Sequence, residues 1–424
     1  MQLSILNKIS TPIVCNLFLM VLSFFSAPVL AQDKAAPLLL HAARVFDGDS
    51  IKTDMSIIIK DGVVAKIQPR GQTIAETEMT VMDLGDATIF PGFIELHAHL
   101  TCQNVSPEVV LRHGITTIRD LGGPVHLPFG GAGSLRVLTS GPIITASGGY
   151  PIVTMGSENI AVAVVDEKEA RATVKRLVGE GAVVIKIALE PGGETGAPWT
   201  SHHHDPAHHG SHHLKHDDAN HHAMQHSHQK ATWPVLSETV VKAIVDEAHQ
   251  QKRKVSAHVA EPAGVQIALN TGVDEWAHMP CELIPEALLK QAIAQQVTII
   301  STIDTLSKCP GIVQNATAWA ALGGELLYGS EIAHPDVPWG INAQELMYMM
   351  QAAKMDPLDA VRAATSKAGR HLGIPLLGTL QPGAPADLIV FKGNPLQTMK
   401  RFEYPDLVIS GGQIVVNQIE SPSK

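Results

Sequence analysis

Aromatic residues make up only 4% of this 424-residue chain, so its core must be filled by aliphatic side chains. Basic residues are outnumbered, 31 Lys and Arg against 41 Asp and Glu, and they form no cluster. With a formal net charge of −10, the chain lacks the footprint of a nucleic-acid binder. Cysteine is scarce as well, at four residues. Cys15 lies near the N-terminus, which leaves Cys102, Cys281 and Cys309 further on. An odd count excludes a fully paired disulfide framework and leaves a single bridge open without choosing its partners. No second long apolar run follows the first, so no stable membrane span is expected in a mature chain.

The first apolar run reads as a secretory signal over residues 1–31. Lys8 supplies a positive start, residues from Ile13 to Phe25 are apolar, and Val29 and Ala31 stand at the small-residue positions before a cut at Gln32. The expected location is therefore secreted or periplasmic. What remains is 45% apolar and long enough for a barrel of roughly 250 residues plus a smaller unit.

Both ends of the mature chain carry strand patterns. Ser56-Ile57-Ile58-Ile59 precedes Asp61-Gly62, a hairpin dipeptide. Near the C-terminus, Asp387 to Phe391, Leu407-Val408-Ile409 and Ile414-Val415-Val416 are punctuated by Gly411-Gly412. Residues 38–90 and 375–420 are thus expected to build one composite β-sandwich. Between them, over 91–374, short β-branched runs alternate with helical patterns, which implies parallel strands joined by crossovers. Eight candidate strands fall near Phe93–His97, Ile115–Asp120, Leu135–Thr145, Ala182–Ile187, Lys254–His258, Val273–His278, Val297–Thr302 and Glu325–Glu331. Eight such units predict an α/β fold with a closed (β/α)₈ TIM barrel. Asp356, Pro357 and Gly373 read as the cap, first turn and stop of one last helix.

Residues 200–230 break the pattern. The tract from His202 to His228 holds 12 of the 22 histidines and has no hydrophobic period, so it reads as a disordered loop insertion after the fourth strand. Its imidazoles, with Asp205, Asp217 and Asp218, suit zinc, nickel or copper.

The sharpest chemical signal is Pro91-Gly92-Phe93-Ile94-Glu95-Leu96-His97-Ala98-His99. Residues two apart on a strand share a face, so His97 and His99 form a chelating pair at a strand end. His258 and His278 also close predicted strands, at the end where barrel enzymes build their sites. Lys186 stands among β-branched residues and would be costly to keep charged. Glu331, after Tyr328-Gly329-Ser330, offers a carboxylate as metal ligand or as general base and acid.

These segments resemble the amidohydrolase superfamily, in particular its imidazolonepropionase-like and prolidase-like branches. The resemblance extends through Gly114-Ile115-Thr116-Thr117-Ile118-Arg119-Asp120-Leu121-Gly122-Gly123, through Gly141-Pro142 and Ser147 to Pro151, and through Asp359 to Thr365 and Gly378 to Leu388. It implies a metal-dependent hydrolase of C–N bonds in amides, cyclic amides or dipeptides, using one or two divalent ions, most simply Zn²⁺. It further implies that His97 and His99 bind one ion, His258 and His278 a second, and that a carbamylated Lys186 bridges them. Where the family normally carries Asp, this chain has Glu331. A misplacement near 1 Å at a reacting group can cost about 10²-fold in rate. A different class of function therefore stands beside the enzyme, a periplasmic zinc-buffering protein on a degenerate scaffold, supported by Glu331 and the histidine tract.

Overall fold

The computed structural model describes residues 36–74, 78–101, 103–192, 194–197 and 233–419. Residues 1–31, expected to be a signal peptide, Cys102 and the histidine tract lie outside the described residues.

The chain ends meet in one hydrogen-bonded sheet of eight strands. Its junction is Ala87–Pro91, which pairs in parallel with Leu38–Phe46 on one side and antiparallel with Leu388–Lys392 on the other. Two hairpins form as their dipeptides predict. Asp61 and Gly62 take φ of 50° and 78° between Ile51–Lys60 and Val63–Pro69, and Gly411 and Gly412 take 53° and 78° between Leu407–Ser410 and Gln413–Asn417. Two left-handed residues in succession match the twist of the flanking strands. This sheet has its own apolar cluster, including Leu40, Ile57, Ile59, Ile89, Leu388 and Ile409.

The middle contributes eight parallel strands: β1 (Phe93–Ala98), β2 (Ile115–Asp120), β3 (Ser134–Thr139), β4 (Val184–Ala188), β5 (Lys254–His258), β6 (Glu275–Trp276), β7 (Thr298–Ile300) and β8 (Glu325–Leu327). β1 to β3 pair in order within one sheet, and β4 to β8 pair in order within a second. Hydrogen bonds also cross both seams. Val183 N–H donates to Thr139 O at 2.9 Å between β3 and β4, and His99 N–H donates to Ile332 O at 2.9 Å between the ends of β1 and β8. Helices cover the outside as the apolar stripes require. In Glu238–Gln250, Ser237 caps the Val240 N–H while Val240, Val241, Ile244, Val245 and Ala248 are buried.

Three expectations need correction. The predicted strand Leu135–Thr145 is two strands, because Ser140-Gly141-Pro142 interrupts it with Gly141 at φ 68°. The run Glu325–Glu331 pairs only to Leu327, and Glu331 itself lies in the following loop. The single helix expected from Asp356 to Gly373 is two, Pro357–Ala363 and Ser366–His371. It breaks at Thr365, where the carbonyls of Ala363 and Ala364 accept from Tyr328 and Ile94 of the parallel strands. Asp356 still caps the first helix, accepting from Asp359 N–H at 2.8 Å, and Gly373 follows the second with φ 68°.

The remaining cysteine question is answered by a bridge between Cys281 and Cys309. It joins the segment after β6 to the turn before helix Ile312–Ala321. Among the described residues, no helix is long and apolar enough to cross a membrane.

Candidate metal centre

β1 is buried along its whole length. Gly92, just before it, has no space for a side chain, since a Cβ there would lie 2.2 Å from Thr116 Oγ1. This close approach seats β1 against β2. It leaves His97 and His99 with their Nε2 atoms 3.3 Å apart at the C-terminal strand end.

The imidazoles from other strands converge on the same point. The rings of His97 and His278 are 4.3 Å apart, and those of His258 and His278 are 4.6 Å apart. His97, His278 and Glu331 each present one ligand atom, all within 4.8 Å of one another. Glu331 Oε1 is 3.9 Å from His99 Nε2. Lys186, from β4, is 1% exposed, and its Nζ has no hydrogen-bond partner among the described residues; nor has Glu331 Oε2. Of the six side chains picked out in the sequence, His97, His278 and Glu331 form the compact set, His99 and His258 adjoin it, and Lys186 is buried close enough to act on the imidazoles electrostatically.

The orientation of these rings is held from outside. His97 Nδ1 donates to the carbonyl of Ala277 at 2.7 Å, which makes Nε2 the lone-pair nitrogen, turned toward His99 Nε2. His278 Nδ1 is 2.9 Å from Thr302 Oγ1. Glu331 and Thr302 are non-glycine residues at φ 61° and 40°. Such conformations cost of order 1–3 kcal/mol and cluster at functional sites.

The electrostatics suit a cation. Burial, with Lys186 nearby, pushes His97, His258 and His278 well below the ordinary histidine range, and His99 to about 3, so all four are neutral donors at neutral pH. Burial lowers Lys186 to about 7, opposed by Glu275 and Glu331 and reinforced by Arg119. Glu331 is raised to about 7, also by burial. Neutral imidazoles, a lysine close to neutrality and orphaned buried polar atoms fit a divalent ion and its ligands.

Several supporting residues carried no signal of their own in the sequence. Glu95, inside the β1 motif, accepts from His97 N–H at 2.7 Å, from Ser330 N–H at 3.0 Å and from Ser330 Oγ at 2.7 Å. It fastens the loop that carries Glu331 to the strand that carries His97. Gly329 makes this possible, because a Cβ there would sit 2.3 Å from Ile300 and 3.1 Å from the His97 Cβ. Glu190, four residues past Lys186, reaches 3.7 Å from His258 Nε2, and burial beside Glu194 pushes its carboxyl upward. Glu345 accepts from Ile303 and Asp304 N–H at 3.0 and 2.7 Å, supporting the loop after β7. Next to the centre, a cavity of about 70 Å³ is lined by His99, Glu331, Tyr150, Ile143, Met155 and Ile160.

An ochratoxinase from Aspergillus niger is 33% identical over 186 residues, 40% of this chain and 38% of that protein. The chain thus matches about two fifths of the length of that curated relative. The crystal structure of A. niger ochratoxinase superposes with a TM-score of 0.68 at 19% identity, covering 91% of this chain and 96% of the other. That of a putative prolidase from Bifidobacterium longum reaches 0.71 at 24% identity, covering 90% and 95%. At these identities the two structures establish the likeness of fold alone. The sequence profile described as the Amidohydrolase family runs from residue 88 to 415, from the last N-terminal sheet strand through every strand that feeds the metal centre. By that extent of match, the chain belongs to the amidohydrolase family.

Proposed function

We propose that this protein is an exported, metal-dependent hydrolase that cleaves a C–N bond in an amide, a cyclic amide or a dipeptide. The carrying observation is the meeting of four neutral imidazoles, Lys186 and Glu331 at the C-terminal ends of parallel strands. In this reading the two parallel sheets close through their seam hydrogen bonds into a (β/α)₈ barrel over 91–374. The terminal sheet, 38–90 with 375–420, doubles over its own core as a small β-sandwich.

His97, His99, His258, His278 and Glu331 would hold one or two divalent ions, with zinc favoured by the nitrogen-rich donor set. A lysine near neutrality keeps a share of free amine. That amine would add to CO₂ with loss of one proton, and the resulting carbamate would give Lys186 two ligand oxygens. A bound ion would supply water activation and polarise the scissile carbonyl. Glu331 takes the proton from the attacking water and returns it to the leaving nitrogen, a role suited to a carboxyl poised near 7. Tyr150, Ile143, Met155 and Ile160 favour a substrate with an apolar or aromatic group beside the scissile amide.

Export is supported by the N-terminal pattern and by the Cys281–Cys309 bridge, since disulfides persist in oxidising compartments. The histidine tract would then capture scarce zinc for the centre. Deleting Ser201–Gln229 should lower activity under metal limitation and not in excess zinc.

The decisive experiment measures bound metal together with hydrolysis of N-acyl amino acids and Xaa-Pro dipeptides, for wild type and His97→Ala. Wild type should retain one or two tight ions and turn over; the variant should lose both properties. Equal hydrolysis by the two proteins would remove the proposed centre.

A further inference from the structure

A second cavity, of about 440 Å³, larger than the one beside the metal centre, is lined by the first residues of β4 and β5, by Arg119 of β2 and Arg136 and Leu138 of β3, and by His371 to Ile374. Its charged and titratable lining consists of Arg119, Arg136, Lys252, Arg253, Lys254 and His371, and among the described residues no carboxylate lines it. Five of the chain's 31 Lys and Arg residues thus face one hollow in a protein whose net charge is −10.

Two of the five are compensated from behind. Arg119 forms a bidentate pair with Glu275 at 3.0 and 2.7 Å, and Arg136 Nη2 is 3.3 Å from Asp387. Arg136 Nε is nonetheless buried without a hydrogen-bond partner. Lys252, Arg253 and Lys254 have no carboxylate within ion-pair distance among the described residues. Arg253 spends Nε and Nη1 on the carbonyls of Ala182 and Lys252, at 3.0 and 3.3 Å, which fixes its guanidinium in place. Lys254 Nζ donates to His371 Nδ1 at 3.1 Å and to its carbonyl at 3.2 Å. Lys252 and Lys254 are exposed, so the hollow is open to solvent-borne ions.

Cations that repel one another on three successive residues are an unfavourable arrangement unless something offsets them. Fixed guanidinium groups flanked by ammonium groups match the geometry and charge of a tetrahedral oxyanion. We propose that this hollow is a second binding site, for a small dianion of the sulfate or phosphate-ester class, lined by none of the residues of the metal centre.

The test is calorimetric titration of the metal-loaded full-length protein with sodium sulfate at fixed ionic strength, so that general screening is constant. Sulfate serves as the probe because it competes weakly for zinc. Wild type should show saturable one-to-one binding. The double variant Lys252→Gln, Lys254→Gln should bind at least tenfold more weakly. Arg136→Gln, from a different strand, should also weaken binding. Hydrolytic activity should be unchanged in the double variant, which lies away from the metal ligands. No saturable binding in wild type, or wild-type affinity in both variants, would overturn the site.

Discussion

Two buried charge sets among the parallel strands, the Arg119–Glu275 pair and the Lys186–Glu331 site, handle their charge in opposite ways. Beside Glu275, the first residue of β6, Arg119 is 2% exposed and fully engaged: its Nε donates to Leu96 O at 2.8 Å, and both Nη atoms meet Glu275. His371 completes that network at 2.5 Å from Glu275, whose carboxyl is held far below its usual range, burial opposing and Arg119 and His371 prevailing. At the metal centre, Lys186 Nζ and Glu331 Oε2 are buried atoms with no hydrogen-bond partner among the described residues. A satisfied pair holds strands together. A set of unsatisfied donors held apart by packing is a vessel for something else. The contrast teaches that burial of charge alone does not mark function; incomplete pairing does.

The contrast can be broken most severely at Lys186. Lys186→Ala should reduce hydrolysis to background and strip bound metal, without lowering the thermal midpoint of the chelator-treated protein. A variant that keeps its metal and turnover would make Lys186 structural. Glu331→Gln should next cost about 10²–10⁴-fold in kcat if the side chain moves the proton. Glu331→Asp should cost about 10²-fold, the price of a shifted carboxylate. A gain in rate with Asp would instead mean that the surrounding loop is still shaped for the shorter residue.

In the paired set, Glu275→Gln should destabilise the fold by about 3–5 kcal/mol, because Arg119 would stay buried without its charge partner. Metal stoichiometry should be unchanged, as read by denaturant unfolding and metal analysis on the same sample. Loss of metal before loss of fold would merge the two regions into one network. A smaller effect is expected from Glu95→Gln, which keeps the shape but removes the charge that holds Ser330 and the His97 N–H. Metal affinity should fall about 10–100-fold.

The smallest effect is one of pH. Proton competition for a metal begins where the free ligands titrate, so histidines lowered by burial should keep their ions below the ordinary value near 6.5. Glu331 moves the other way, raised to about 7, and loses its base form as pH falls through that value. Activity should therefore decline on acidification before metal is released. Dialysis at pH 5.5 with metal analysis, beside a pH–rate profile, checks this; simultaneous loss would place proton transfer and metal binding on the same groups.

The candidate site was legible in unusual detail, for a physical reason. A His-x-His pair on a strand, and histidines that close later strands, carry their direction in the backbone period. The hairpins at Asp61-Gly62 and Gly411-Gly412 were equally readable, because left-handed residues in succession admit few side chains. Strand lengths were less so. β6 and β8 are only two and three residues long, and His278 and Glu331 lie beyond them in loops. The supporting carboxylates were invisible, since Glu95, Glu190 and Glu345 act through partners distant in sequence.

By itself, then, the sequence determined the alternation of parallel strands and helices, the two hairpin turns and the shared face of His97 and His99, because alternation and turn chemistry are local. Tertiary structure alone decided that Cys281 joins Cys309, that Glu95 ties His97 to the Ser330 loop, and that Lys252 to Lys254 share a hollow with Arg136. Each of these is a contact between residues far apart along the chain, and only the packing of whole strands fixes such distances.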